Sequence, residues 1–150
     1  MVKKTIEGHA TDVLTDRAVA FLEQERNELF LLYFAQKAVH QDPALGLVDG
    51  GFISAKRHRG MYDSFPIKRR SSAGLPPTDK PALMLQRFDL PSLGFDTSTK
   101  DLTIRQRLEM VTGVDESIDR LMNTMEKSGQ LDNTVFVVAS DHGYFYGGMV

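Results

Sequence analysis

Apolar positions along this chain fall into two helical stripes and two short unbroken runs, and their order predicts an α/β protein. Residues 11–26 place Leu14, Ala18, Phe21 and Leu22 on one face of a helix, with Thr11 or Asp12 available to cap it. Residues 29–35, Leu-Phe-Leu-Leu-Tyr-Phe-Ala, are continuously apolar and short, the pattern of a strand buried on both faces. From Gln36 to about Lys100 the periodicity dissolves, and this stretch holds all six prolines. Regularity returns at Thr103, where Leu108, Val111, Val114, Ile118, Leu121, Met122 and Met125 share a helical stripe. That helix runs to Lys127 and closes at Gly129, with Gly113 weakening its middle. A second apolar run, residues 134–140, then ends abruptly in Asp141, His142 and Gly143. The expected architecture is helices packed on a sheet that is parallel at least in part.

Composition narrows the picture without redirecting it. A chain of 150 residues is one domain's worth, so residues 1–150 are expected to form one unit with a long loop excursion over 41–100. A net charge of −2 gives no electrostatic case for nucleic acid or an anionic membrane. No apolar stretch approaches the roughly 20 residues that span a bilayer. Met1–Gly8 carries two lysines and no apolar run, so it does not read as a secretory signal. The absence of cysteine removes disulfides, thiolate metal sites and a cysteine nucleophile from these residues and leaves the compartment open. Within the excursion, Lys56-Arg57-His58-Arg59 and Lys68-Arg69-Arg70 form a basic cluster interleaved with Met61, Tyr62, Phe65 and Ile67. This mixture reads as an ordered surface excursion rather than a linker.

Candidate chemistry gathers at the ends of the two apolar runs. A strand ending in a carboxylate and an imidazole can deliver Asp141 and His142 to the carboxyl edge of a sheet as rigid metal ligands. Gly143 then lets the chain turn or another group approach. The competing reading is that Asp141 only caps a following helix. Lys37 and His40 follow the first run and emerge on the same edge if both strands share a sheet. There they could bind an oxyanion or protonate a leaving group; otherwise His40 is a surface residue. His9 reads as exposed or a local cap, and His58 as part of a solvated basic face. Asp115 and Glu116 read as charged helix surface or as partners in helix pairing.

Four stretches, in this order, resemble the sulfatase family of the alkaline-phosphatase-like superfamily. They are Thr11–Leu22, Phe30–His40, Arg57–Tyr62, and Val114–Met122 continuing through Leu131–Gly143. The resemblance implies an alkaline-phosphatase-like α/β/α sandwich, here a partial one with an incomplete sheet and flanking helices. It implies a sulfuric ester hydrolase in which Asp141 and His142 bind Ca2+, His40 holds the sulfate ester, and Lys37 contacts the sulfate or its surroundings. The implied substrate is a sulfate ester, on a sulfated glycan or an aryl group. The family's formylglycine nucleophile, which attacks sulfur as a hydrated aldehyde, is made in a C-x-P-S-R stretch that these residues lack. Its first aspartate pair and late lysine are absent as well, and Gly147–Val150 departs from the family pattern. The chain therefore reads as a central segment of the catalytic domain, expected not to turn over a sulfate ester alone. A phosphodiesterase or phosphonate hydrolase of the same superfamily, and a non-catalytic orphan fragment, are the alternatives. Family members are usually exported, and this segment carries no signal either way.

Overall fold

The computed structural model describes residues 6–42, 51–69, 71 and 100–140. Much of the expected excursion, and the strand-end residues Asp141, His142 and Gly143, lie outside the described residues. Two helices carry the architecture, α1 over Ala10–Leu22 and α2 over Asp101–Lys127. Both fall where the hydrophobic period placed them, although α1 ends at Leu22 rather than Arg26. Gly129 closes α2 as expected. It sits at φ 69°, while Gly129 N–H donates to the Glu126 carbonyl and Gln130 N–H to that of Met125, the paired bonds of a Schellman turn.

The helices meet through small residues at one end of their contact and through part of the apolar stripes at the other. Thr11, Thr15, Ala18 and Leu22 of α1 are buried, as are Gly113, Ser117, Leu121 and Met125 of α2. Hydroxyls are tolerated there because each finds a partner. Thr15 Oγ lies 2.7 Å from both the Thr11 carbonyl and Ser117 Oγ, and Ser117 donates to the Gly113 carbonyl at 2.8 Å. Ala18, Leu22, Leu121 and Met125 form the apolar core at the other end of this contact. The stripe expected on α2 is thereby rotated: Leu121 and Met125 are buried, whereas Val111 and Met122 are exposed.

No strand ladder occurs among the described residues. Residues 29–35 do show the two-residue alternation of an extended chain. Phe30, Leu32 and Phe34 pack on the core, while Leu29, Leu31 and Tyr33 are 98%, 91% and 88% exposed. The second run, 134–140, leaves Val135, Val137 and Val138 exposed. A strand is defined by the edge it pairs with, and neither run has one among the described residues. The helical part of the α/β expectation is thus present, and its sheet is not seen here.

A strap over residues 56–69 runs antiparallel to α2. It opens in a 3₁₀ turn, Lys56–His58, and is fixed at successive levels of the helix. Arg57 and His58 reach Glu116, Tyr62 Oη meets Thr112 Oγ at 2.9 Å, and Gly60 N–H donates to Glu109 at 2.7 Å. Further along, Arg105 donates to the Phe65 carbonyl and Arg69 pairs with Asp101.

Candidate functional site

Lys37 and His40 sit in one turn, closed by His40 N–H donating to the Lys37 carbonyl at 2.9 Å. Both line a cavity of about 270 Å³ together with His9, Thr11, Asp42 and Ile53. This volume lies just below the roughly 300 Å³ at which small-molecule pockets begin, so it suits a single ring or a compact anion. Its floor is the N-terminal end of α1. His9 occupies the cap position but makes no side-chain capping bond. The positive end of the helix dipole, at Ala10 and Thr11, thus lies at the cavity wall without a side-chain cap from His9.

Tautomers follow from the partners of each ring. His40 Nδ1 lies 2.7 Å from the Gln41 carbonyl and so carries a proton, leaving Nε2 as the free nitrogen. A neutral His40 then offers a lone pair at Nε2, and a protonated one offers a donor. His9 Nε2 similarly donates to the Ile53 carbonyl at 3.1 Å, which ties the start of α1 to the root of the strap. Lys37 and His40 are exposed, Asp42 contributes the one carboxylate of the lining, and its own N–H donates to the Gly51 carbonyl. The lining thus sets the Lys37 ammonium and the His40 ring beside the start of α1, with the Asp42 carboxylate among them.

Beside the cavity lies a charge network that the sequence reading missed. Arg57 bridges Asp12 on α1, at 2.7 Å, and Glu116 on α2, at 2.7 Å. The guanidinium hydrogen bond lowers the Asp12 pKa. Arg57, then His58, lowers that of Glu116, and the two carboxylates together push Arg57 up. His58 is not on a solvated face, as its basic neighbours suggested. It is 2% exposed, with Nε2 at 2.7 Å from Glu116 and its ring against Gly113. A basic run in sequence says nothing of which member turns inward, and here the 3₁₀ turn buries one side chain in three. The signal that could have found it was Gly113, a gap in an otherwise bulky helix.

The structure thus brings Lys37 and His40 together in one cavity, whereas Asp141 and His142 lie outside the described residues. Among the described residues no group of three or more His, Asp or Glu is arranged to hold a metal ion. No described helix is long and apolar enough to cross a membrane.

A family model described as Sulfatase matches residues 2–148. The chain is 26% identical to an N-acetylglucosamine-6-O-sulfatase of Bacteroides thetaiotaomicron, with 94% of this chain and 34% of that protein covered. It is 28% identical to an arylsulfatase of Volvox carteri, over 93% of this chain and 23% of the relative. It is 25% identical to a human N-acetylglucosamine-6-sulfatase, over 93% of this chain and 24% of the relative. The chain therefore spans about a third or less of the length of these relatives. No solved structure gives a significant match.

Proposed function

Because the chain belongs to the sulfatase family, whose fold is of the alkaline-phosphatase-like α/β class, we propose that it is a central segment of a sulfuric ester hydrolase domain. In that reading α1 and α2 flank one side of an incomplete α/β/α sandwich, and residues 29–35 and 134–140 contribute strands to its sheet. Lys37 and His40 hold the sulfate group of the substrate. The observation that carries the assignment is their shared cavity at the positive end of α1.

Each group has a distinct task. The Lys37 ammonium offsets charge on the sulfate oxygens as the ester bond breaks. His40, its ring held through Nδ1 by the Gln41 carbonyl, presents Nε2 to one of those oxygens. Amides at the start of α1 add donors that need no reorganisation. Removing Lys37 or His40 from the active protein should lower kcat by about 10²–10³, as for other oxyanion contacts. Asp141 and His142 are the proposed metal ligands. A carboxylate oxygen suits Ca2+ and an imidazole is equally at home on a softer ion, so this donor pair fits a metal without fixing Ca2+ by itself. A Ca2+ ion held by them would supply positive charge to offset that of the sulfate group. The nucleophile that the family uses is not among these 150 residues, so the direct test is binding.

Names of the relatives suggest the probe, N-acetylglucosamine 6-sulfate. Titrated into the ¹⁵N-labelled chain, it should give saturable NMR shifts at Lys37, His40 and the amides of Ala10 and Thr11. Lys37→Met with His40→Phe should abolish them. Equal shifts from unsulfated N-acetylglucosamine, or none from the sulfate, would sink the assignment.

A further inference from the structure

Two stretches far apart in sequence wall the cavity that Lys37 and His40 line: the start of α1, at Gly8, His9, Ala10 and Thr11, and the root of the strap, at Gly51 and Ile53. Two contacts stitch these walls together. His9 Nε2 donates to the Ile53 carbonyl at 3.1 Å, a single hydrogen bond. The second stitch carries charge. Arg57 Nη1 and Nη2 reach the two Asp12 oxygens at 2.9 and 2.7 Å, a bidentate fork closed on the first turn of α1.

Asp12 matters to the cavity because of where it stands. It is the acid of that first turn and directly follows Thr11, a lining residue. Consecutive Cα atoms are about 3.8 Å apart, so its carboxylate lies within about a Debye length, roughly 8–10 Å, of the cavity wall. Arg57 first, and then His9 and Arg120, hold the Asp12 carboxyl below its ordinary value, so Asp12 is coupled in charge to a residue of the lining. A bare carboxylate here would offset the positive end of the helix and repel an anion held by Lys37 and His40. Arg57 removes that repulsion. Arg120, the other guanidinium that acts on Asp12, is committed to Asp16 at 2.7 Å. Glu116 leaves the fork in place, because it takes Arg57 Nε at 2.8 Å and has His58 on its other oxygen at 2.7 Å.

We propose that Arg57 is a positioning residue for anion binding. Through its fork on Asp12 it takes a repulsive charge away from the cavity floor, and so raises the affinity of Lys37 and His40 for a sulfate ester that it does not itself touch. This inference rests on the sulfate reading of Lys37 and His40 and adds the residue that tunes it.

The affinity of the ¹⁵N-labelled 150-residue chain for N-acetylglucosamine 6-sulfate, read from the NMR shifts of Lys37 and His40, tests the proposal at rising NaCl. At low salt Arg57→Gln should bind about threefold more weakly, the effect of one carboxylate roughly 9 Å away in a medium close to water. That ratio should shrink toward one as salt shortens the Debye length. Asp12→Asn/Arg57→Gln should recover the wild-type affinity although it lacks both ends of the stitch. Arg17→Gln, which removes the same charge from an exposed position further along α1, should bind as wild type does. Circular dichroism below the unfolding transition should show equal helix content throughout. Equal affinity of Arg57→Gln and wild type overturns the proposal. So does a loss that salt leaves unchanged or that the double variant fails to restore, since the contact would then be a structural stitch alone. Asp12→Asn by itself keeps Arg57 and should bind at least as tightly as wild type; weaker binding overturns the proposal even where Arg57→Gln does not fold. Wild type without saturable shifts would instead overturn the sulfate reading, and this inference with it.

Discussion

Arg57 joins three parts of the molecule with one side chain, and the pH dependence of that joint has a definite sign. Its guanidinium lowers Asp12 from an ordinary value of 3.8 and Glu116 from 4.5. A carboxylate depressed in the folded state stabilises it fully above the unfolded value, and the stabilisation is lost as pH falls through the folded one. The side chains of Arg57, Asp12 and Glu116 are 47%, 32% and 43% exposed, so solvent screening holds the effect to about 1 kcal/mol. Arg57→Gln should therefore lower stability at pH 7 by about that amount, and by much less at pH 2, measured by urea unfolding. An equal loss at both pH values would assign the effect to packing. Gly113 offers a second test. A Cβ built there lies 3.5 Å from the His58 ring and 3.8 Å from Thr11, which is ordinary contact. Glycine inside a helix costs about 1 kcal/mol relative to alanine, so Gly113→Ala should raise the unfolding midpoint. Gly113→Leu has no such room and should lower stability by about 1–3 kcal/mol. Sequence marked Gly113 as a weak point in a helix and could not mark it as the seat of His58. Thr15 and Ser117 were overlooked for a similar reason: a hydroxyl satisfied by the carbonyl four residues back is indistinguishable, in sequence, from one facing water.

Elements differ in how far their logic is local. Both α1 and α2 were legible because a helix repeats its own period and the Gly129 stop is a local backbone requirement. The strap was legible only as a basic, aromatic stretch, because its partners lie 49 to 59 residues further on, at Glu109 and Glu116. Glu109 is its keystone: 5% exposed, it accepts from Ser54 Oγ at 2.6 Å and from the Gly60 amide at 2.7 Å. Gly60 stands at φ 80°, a conformation that glycine adopts without strain, so the amide is presented by the turn itself. Glu109→Ala leaves the buried Ser54 hydroxyl without this acceptor, at about 1–3 kcal/mol, and frees the Gly60 amide, which water can reach. Hydrogen exchange at the Gly60 amide should accelerate at least tenfold, while amides in the second half of α2 keep their protection. Uniform acceleration along α2 would mean that strap and helix open as one unit.

At the scale of the whole molecule, the two apolar runs decide how the chain behaves in solution. Sequence identified both as sheet material, and the family's α/β fold agrees, but burial of a strand depends on neighbours that a local pattern cannot supply. In the structure the inner row of the first run, Phe30, Leu32 and Phe34, is covered by the α1–α2 core. The outer row, with Leu31 at 91% exposure, faces solvent, as does Val137 at 84%. The cavity keeps its shape without these outer side chains, since Lys37 and His40 are set by their own turn and by the start of α1. Unpaired apolar edges are templates for another edge, so this chain should associate with itself as concentration rises. Lys placed at such a position blocks edge pairing by charge and hydration. Leu31→Lys/Val137→Lys should therefore reduce the sedimentation coefficient at high concentration and suppress binding of a hydrophobic dye. Because those side chains are almost wholly exposed, the unfolding free energy should change by less than about 0.5 kcal/mol. A variant that stays monomeric but unfolds several kcal/mol more easily would place Leu31 or Val137 in the interior. One that associates like wild type would move the sticky surface to Val111 and Met122, the exposed part of the α2 stripe.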